Sequence, residues 1–462
     1  MLYSSLVKTK RSVWKIFPTI IPVFFIAICI ALLMTEHYLS FLFASLATFL
    51  ILGCPVAICL AGSSLLFVFF SGQVPSIVVA KRMIDGIDSF SLLAIPFFIF
   101  AGNLMNSAGI THRIFDFAKA SMGWTRGGLA HVNVGASVVF SGMSGAAVAD
   151  AGGLGAIEIR AMKDAGYDPA FAVGVTAASS TIGPIIPPSL PLVIYGVMAS
   201  ASVGQLFVAG LIPGFLMAAA LMLMVAWMAK RQNYPRDCEF SFSVLWYTFK
   251  RAFLSLLTPV IIIGGISTGM FTPTEAAIAA VVYAMILGSV VYRTLSLRHF
   301  LRVSMETIET TSVILLIVAS ATIFAWILTS NQITAAFVEV LSGFTDSKFV
   351  TLLIITLILF FVGFFMETIA AITILVPVLL PVAVSFGVDP VHFGIIVVLN
   401  LMIGLLTPPV GMVLYVLSQV SGVPFEKCVK GTAPFLIPLV ISLLLVTFIP
   451  EFSMWLPTLL YR

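Results

Sequence analysis

The chain has 462 residues, 60% of them hydrophobic and only 9% Asp, Glu, Lys or Arg, with a formal net charge of +4. Soluble domains carry about 25% charged residues, so this chain cannot clothe a water-facing globule, and soluble enzymes and nucleic-acid binders are excluded. With a mean hydropathy of +1.16, the composition specifies a polytopic membrane protein, and the long apolar runs below make the expected fold all-α.

Cys29, Cys54, Cys59, Cys238 and Cys428 form no CxxC pair, and His37, His112, His131, His299 and His392 show no ligand spacing; they read as packing and surface residues. No GxxxxGK[ST] loop is present, so any work must draw on a gradient or a partner.

A bilayer crossing needs roughly 20 apolar residues. In chain order the expected spans are 16–34, 37–52, 54–71, 90–108, 169–198, 206–229, 253–268, 273–291, 312–330, 391–420 and 432–450, which makes 11 crossings. The first, with its basic start, reads as an uncleaved anchor within an N-terminal segment, 1–36. Stretches 128–160 and 349–381 resist being simple spans. The first holds Gly142, Gly145, Gly152, Gly153, Gly155, Asp150 and Glu158; the second holds Glu367, Pro377 and Pro381. Broken backbone cannot face lipid, so both are expected to be re-entrant hairpins buried in protein. With a cytoplasmic N-terminus and a periplasmic C-terminus, only Lys81, Arg82, Lys348 and Arg462 of the 23 Lys and Arg then fall outside, in line with the positive-inside bias.

Shifting the chain by 221 residues lays 140–216 on 361–437 without a gap. Phe140-x-Gly142 meets Phe361-x-Gly363, and Gly166-x-Asp168-Pro169 meets Gly387-x-Asp389-Pro390. Ile182-Gly183 with Pro187-Pro188 meets Ile403-Gly404 with Pro408-Pro409, and Gly210-x-x-Pro213 meets Gly431-x-x-Pro434. Composition alone would give about 0.6 such Gly or Pro coincidences, so the repeat is genuine. Upstream the match weakens, with Gly109-Ile110-Thr111 near Gln332-Ile333-Thr334. The first repeat covers 37–229 and the second 253–462, joined by a cytoplasmic linker at 230–252. Five crossings per unit make the second inverted relative to the first. Inverted repeats with paired hairpins and broken helices place substrate and ions near the midplane.

In 169–198, Pro184, Pro187 and Pro188 forbid a continuous helix. The freed carbonyls suit a hard cation such as sodium, and 391–420 repeats the break at Gly404, Thr407, Pro408 and Pro409. A kink in one helix has a purely structural reading; two in register after two hairpins favour a site. Helix N-termini at the breaks favour an anionic substrate. Asp150, Glu275 and Glu367 are acids at or near membrane depth and candidates for function, with backbone capping as the competing role for Asp150 and Glu275. No nucleophile and base pair is spaced for catalysis, so no enzyme activity is expected. The spans are too apolar for a channel's polar stripe.

Ala94 to Met105, the hairpin with Phe140-Ser141-Gly142-Met143-Ser144-Gly145 and Ala149-Asp150, the stretch Ala177 to Gly196, and Gly264 to Ala277 resemble the large membrane subunit of tripartite ATP-independent periplasmic (TRAP) transporters. The resemblance runs from about residue 37 to the end. It implies an elevator-type, sodium-driven importer of an acidic substrate in the bacterial inner membrane. It also implies a separate small four-helix membrane subunit, a soluble periplasmic substrate-binding protein, and no cofactor beyond the coupling sodium ions. Carried onto this chain, the first sodium site uses Ser141, Ser144, Gly183, Ile186 and Pro188, and the second Gly363, Met366, Gly404 and Thr407. Substrate contacts fall on Ser179, Ser180, Thr181, Ser189, Thr368 and Asn400. The wording of 96–170 is closest to the sialic-acid branch, with C4-dicarboxylates as the alternative. Two departures stand out: Ala146 replaces a hydroxyl common in the hairpin, and 1–34 is additional.

Overall fold

The computed structural model describes residues 25–461, the side chains of Met143 and Ser144 excepted. Among the described residues every regular element is a helix, and the β-type pairing is one isolated antiparallel bridge between Arg126 and Arg236. Among the described residues, seven helices are long and apolar enough to cross a membrane by length and composition. Shorter apolar helices include Phe25–Met34, Tyr38–Ile51 and Val56–Ser71, together with Pro390–Gly404 and Met412–Ser421, the two pieces of the second interrupted segment. The basic start of the anchor at 16–34 lies outside the described residues; its remainder is the helix Phe25–Met34.

Packing divides the chain into two compact units, a different division from that by repeat. One comprises the described residues up to Asp88 with Ser312–Ile333; the other comprises Ser89–Thr311 with Thr334–Arg462. In the smaller unit, Tyr38–Ile51 lies along Val56–Ser71. Phe43 meets Phe324 edge to face at 6.1 Å, Arg82 sits over the Trp326 ring at 5.1 Å, and Gly86 leaves no room for a Cβ beside Thr322.

The larger unit holds both hairpins and both interrupted helices. The first hairpin runs Gly128–Ser144, Ala147–Gly152 and Leu154–Asp164; the second runs Lys348–Gly363 and Thr368–Ser385. The Gly-x-Asp-Pro motif does the same local work twice. Gly166 and Gly387 take the left-handed φ values of 84° and 73° that a glycine tolerates. Asp168 and Asp389 then cap the next helix, accepting from Phe171 N and from Val391 N and His392 N. Pro169 and Pro390, lacking an amide that would go unpaired there anyway, open it. The weaker upstream match is also structural: Gly109 (φ 70°) and Gln332 (φ 55°) precede amphipathic helices Ile110–Met122 and Ile333–Phe344. These two, with Ile77–Ile87 and Glu451–Leu460, were not among the expected spans because charged or polar residues interrupt each apolar run.

The two repeats interlock reciprocally. Pro169–Ser180 packs on Phe425–Phe448, and Pro390–Gly404 on Val203–Arg231. Leu190–Met198 packs on Thr368–Ser385, and Met412–Ser421 on Ala147–Gly152 and Leu154–Asp164. Gly174 and Gly431 allow backbone-to-backbone approach in the first of these contacts, where a Cβ on either would strike main chain. Close approach of this kind is how helices associate where lipid supplies no hydrophobic drive. Tyr195 adds a hydrogen bond to the Pro390 carbonyl at 2.6 Å.

The segment read as a linker ends in helix, since Phe242–Ser267 starts inside it. Its non-helical part clasps the base of the first hairpin. Asp237 Oδ2 accepts from Leu129 N and from the Tyr167 hydroxyl, both at 2.7 Å. Gly127 N donates to the Pro235 carbonyl and Asp237 N to the Gly123 carbonyl, while Tyr167 stacks on Tyr234 with ring centroids 4.6 Å apart. Burial and the Asp237 carboxylate push the Tyr167 phenol well above its ordinary range, so it remains a donor.

Candidate ion and substrate site

Residues 181–189 join Pro169–Ser180 to Leu190–Met198, and every one of them is buried. The proline run stops the helix, and short-range bonds close its end: Ile182 N to the Ser179 carbonyl, and Ile185 N and Ile186 N to the Ile182 carbonyl. Ser189 caps the second half, accepting from Leu192 N at 3.2 Å and donating to the Pro184 carbonyl. The Pro187–Pro188 bond is cis, as is its counterpart Pro408–Pro409.

The first hairpin reaches this break through backbone. Gly145, at φ 61°, accepts from Leu190 N through its carbonyl at 3.4 Å, and the Pro188 carbonyl fills the space a Cβ would need. A left-handed residue hard against another main chain must be glycine. Asp150 enters from the returning arm: its carboxylate occupies the position of a Cβ on Gly183. Asp150 and Glu158 are both 2% exposed and are electrostatic neighbours. Ile186 sits over Gly214, and the Ile185 carbonyl over Gly210, each filling the place of a side chain. Of the first sodium set, Gly183 and Pro188 thus meet hairpin residues directly. Ser141 is buried with its hydroxyl donating to the Val138 carbonyl of its own helix, and the Ser144 side chain lies outside the described residues.

At the second break Gly404 and Gly363 touch: a Cβ on Gly404 would lie 2.7 Å from the Gly363 backbone. Met366 N closes on the Val362 carbonyl, and Thr407 donates to the Ile403 carbonyl through its hydroxyl and to the Gly404 carbonyl through its amide. Glu367 is the cap of Thr368–Ser385, accepting from Ile369 N at 2.9 Å and Ala370 N at 3.2 Å. Glu275 is exposed and forms a capping box with Thr272 at a helix start. Unlike the first break, this one leaves Pro408, Pro409 and Val410 exposed.

The six expected substrate residues are all buried, and they divide by hydrogen bonding. Ser180 and Thr181 donate to the carbonyls of Ala177 and Ala178, and Ser189 is the cap already described. Ser179 donates to Asn133 Oδ1 at 2.6 Å, and Asn133 Nδ2 in turn donates to Thr176 Oγ1 at 2.7 Å. Asn133 was not among the expected residues, although a lone amide within an apolar hairpin arm was a signal for it. Asn400, which the repeat places opposite Ser179, has neither amide atom hydrogen-bonded, and the Thr368 hydroxyl is likewise unpartnered. Leaving a buried polar group unpaired costs about 1–3 kcal/mol, so such groups are rare in native folds.

Paired hairpins, two interrupted helices in register and buried polar groups beside them are the architecture of a membrane transporter. The fold is shared with the YdaH transporter of Alcanivorax borkumensis, at a TM-score of 0.61 and 14% identity, over 82% of this chain and 89% of that one. The sequence profile of the tripartite ATP-independent periplasmic transporter, DctM component, matches residues 43–452, and the chain belongs to that family. The sialic acid TRAP transporter large permease protein SiaM of Vibrio cholerae is 50% identical over 88% of this chain and 95% of its own length. The sialic acid TRAP transporter permease protein SiaT of Haemophilus influenzae is 42% identical over 88% of this chain, which spans 66% of it. The C4-dicarboxylate permease DctM of Pseudomonas aeruginosa is 37% identical. The chain is therefore a multi-pass protein of the bacterial inner membrane and one component of a tripartite transporter.

Proposed function

We propose that this chain is the permease through which sialic acid, handed over by a soluble periplasmic binding protein, enters the cell on a sodium gradient. A small four-helix membrane subunit, as a separate chain, completes the complex. The identity with SiaM and SiaT supports the substrate, and the lower identity with C4-dicarboxylate permeases makes those acids the second reading. The observation that carries the transport reading is the pair of interrupted helices, each met by a hairpin through glycine-mediated backbone contact, with Asn400 and Thr368 buried and unpartnered beside the second.

In this reading sodium binds to main-chain carbonyls at the two breaks, at Gly183, Ile186 and Pro188 with Ser141 and Ser144, and at Gly363, Met366, Gly404 and Thr407. Hard cations favour such oxygen sets. Asn400 and Thr368 hydrogen-bond the polar substrate, and Ser179 and Ser180 line its other side. The cofactor need is met by sodium alone. The 11 crossings, the cytoplasmic N-terminus, the division into 37–229 and 253–462 around the linker, and an elevator movement belong to the same proposal.

The test is uptake into proteoliposomes with the binding protein and the small subunit present. Labelled sialic acid should accumulate only under an inward sodium gradient, and excess succinate should not compete. Uptake that ignores sodium or the binding protein would overturn the mechanism; competition by succinate would overturn the substrate.

A further inference from the structure

Helices Val203–Arg231 and Phe425–Phe448 leave a cavity of about 750 Å³ between their ends, lined in part by Met224, Trp227, Arg231, Lys430, Pro434 and Ile437. The volume falls within the usual range for small-ligand sites of about 300–1,000 Å³. Its chemistry is graded. Arg231 and Lys430 form one rim, and no lining residue is acidic. Met224 and Ile437 each lie seven residues inward along their helices, or about 10 Å at 1.5 Å per residue. The wall is open sideways, with Trp227 55% and Ile437 60% exposed. Arg231 is steadied at the rim by the Trp227 ring, 5.4 Å from its guanidinium carbon.

We propose that this groove binds an anionic phospholipid. Its phosphate would lie between Arg231 and Lys430, and the upper part of one acyl chain along Met224, Pro434 and Ile437. Two cations at the end of an apolar slot on the membrane-facing side of a helix pair match a headgroup above a chain, and basic pockets between membrane helices are recognised lipid sites. A soluble anion would gain nothing from the apolar floor, and a wholly apolar partner helix would leave both cations unpaired. The cytoplasmic leaflet follows from the orientation proposed above; the chemistry of the groove does not depend on the transported substrate.

The full-length chain, stripped of lipid in detergent, is titrated with dioleoyl phosphatidylglycerol, dioleoyl phosphatidylcholine or inorganic phosphate, and bound lipid is counted by native mass spectrometry. One phosphatidylglycerol should be retained in preference to phosphatidylcholine, and inorganic phosphate should not displace it. Each basic residue near anionic headgroups contributes about fivefold, so Arg231→Gln with Lys430→Gln should weaken retention about 25-fold. Ile437→Trp, which fills the floor and keeps both charges, should also lose the lipid, whereas Lys250→Gln, at a lysine that does not line the groove, should keep it. Equal loss in Lys250→Gln, equal retention of phosphatidylcholine, or displacement by phosphate would overturn the proposal. So would expulsion of the lipid when the small membrane subunit assembles, because the groove would then be a protein interface.

Discussion

At the residue scale, the repeat places Ser179 and Asn400 at equivalent positions with opposite hydrogen-bond fates. Ser179 is committed to Asn133, whereas Asn400 is unpartnered. Asn400→Leu should therefore leave the resting protein unchanged or more stable, by up to about 2 kcal/mol, while substrate-induced thermal stabilisation disappears. Ser179→Ala should instead lower stability by about 1–2 kcal/mol, because it strands Asn133 Oδ1. Melting curves with and without sialic acid check both, and a destabilised Asn400→Leu that still responds to substrate would remove Asn400 from the site. A second pair tests the backbone. Gln332 holds a left-handed φ of 55° where its counterpart is Gly109, so Gln332→Gly should be stabilising by about 1 kcal/mol. A loss of thermal stability would show that the Gln332 side chain contributes more than its backbone costs.

At the element scale, the clasp over the first hairpin converts a connecting segment into a brace. Asp237 serves two donors from different elements, the first turn of Gly128–Ser144 and the loop before Pro169–Ser180. Asp237→Ala should cost about 1–3 kcal/mol, since it removes charge-assisted bonds to both. Tyr167→Phe, which removes one donor and keeps the stacking, should cost less. Equal melting of wild type and Asp237→Ala would show that the clasp contributes nothing. Glu367 illustrates the same scale from the opposite direction. Its depth in the membrane marks it as a candidate for function, and its carboxylate also accepts from two amides at a helix start, a role worth about 1 kcal/mol for a cap.

At the scale of the whole molecule, the repeat is inverted only if the two hairpins open to opposite sides. In whole cells, a cysteine replacing Lys163 should be modified by a membrane-impermeant thiol reagent only after the membrane is opened. A cysteine replacing Val384 should be modified from the periplasm. Labelling of both from one side would abolish the inversion and, with it, the argument that the two breaks form paired sites.

Short-range chemistry was legible in the chain alone. Composition placed the chain in a bilayer. Proline and glycine marked both breaks, because a missing amide or a left-handed turn is a property of one residue and its neighbours. The 221-residue register survived because Gly-x-Asp-Pro does the same capping twice. Which groups meet across the breaks emerges from the folded packing: Gly145 on Pro188, Asp150 on Gly183 and Gly363 on Gly404. It also separated the polar residues that are spent from those that are free, so that Ser189 became a cap and Asn133 emerged as the partner of Ser179. Hydrogen-bond saturation depends on groups brought together from distant parts of the chain, 46 residues apart in the case of Ser179 and Asn133. No local pattern of residues encodes that distance.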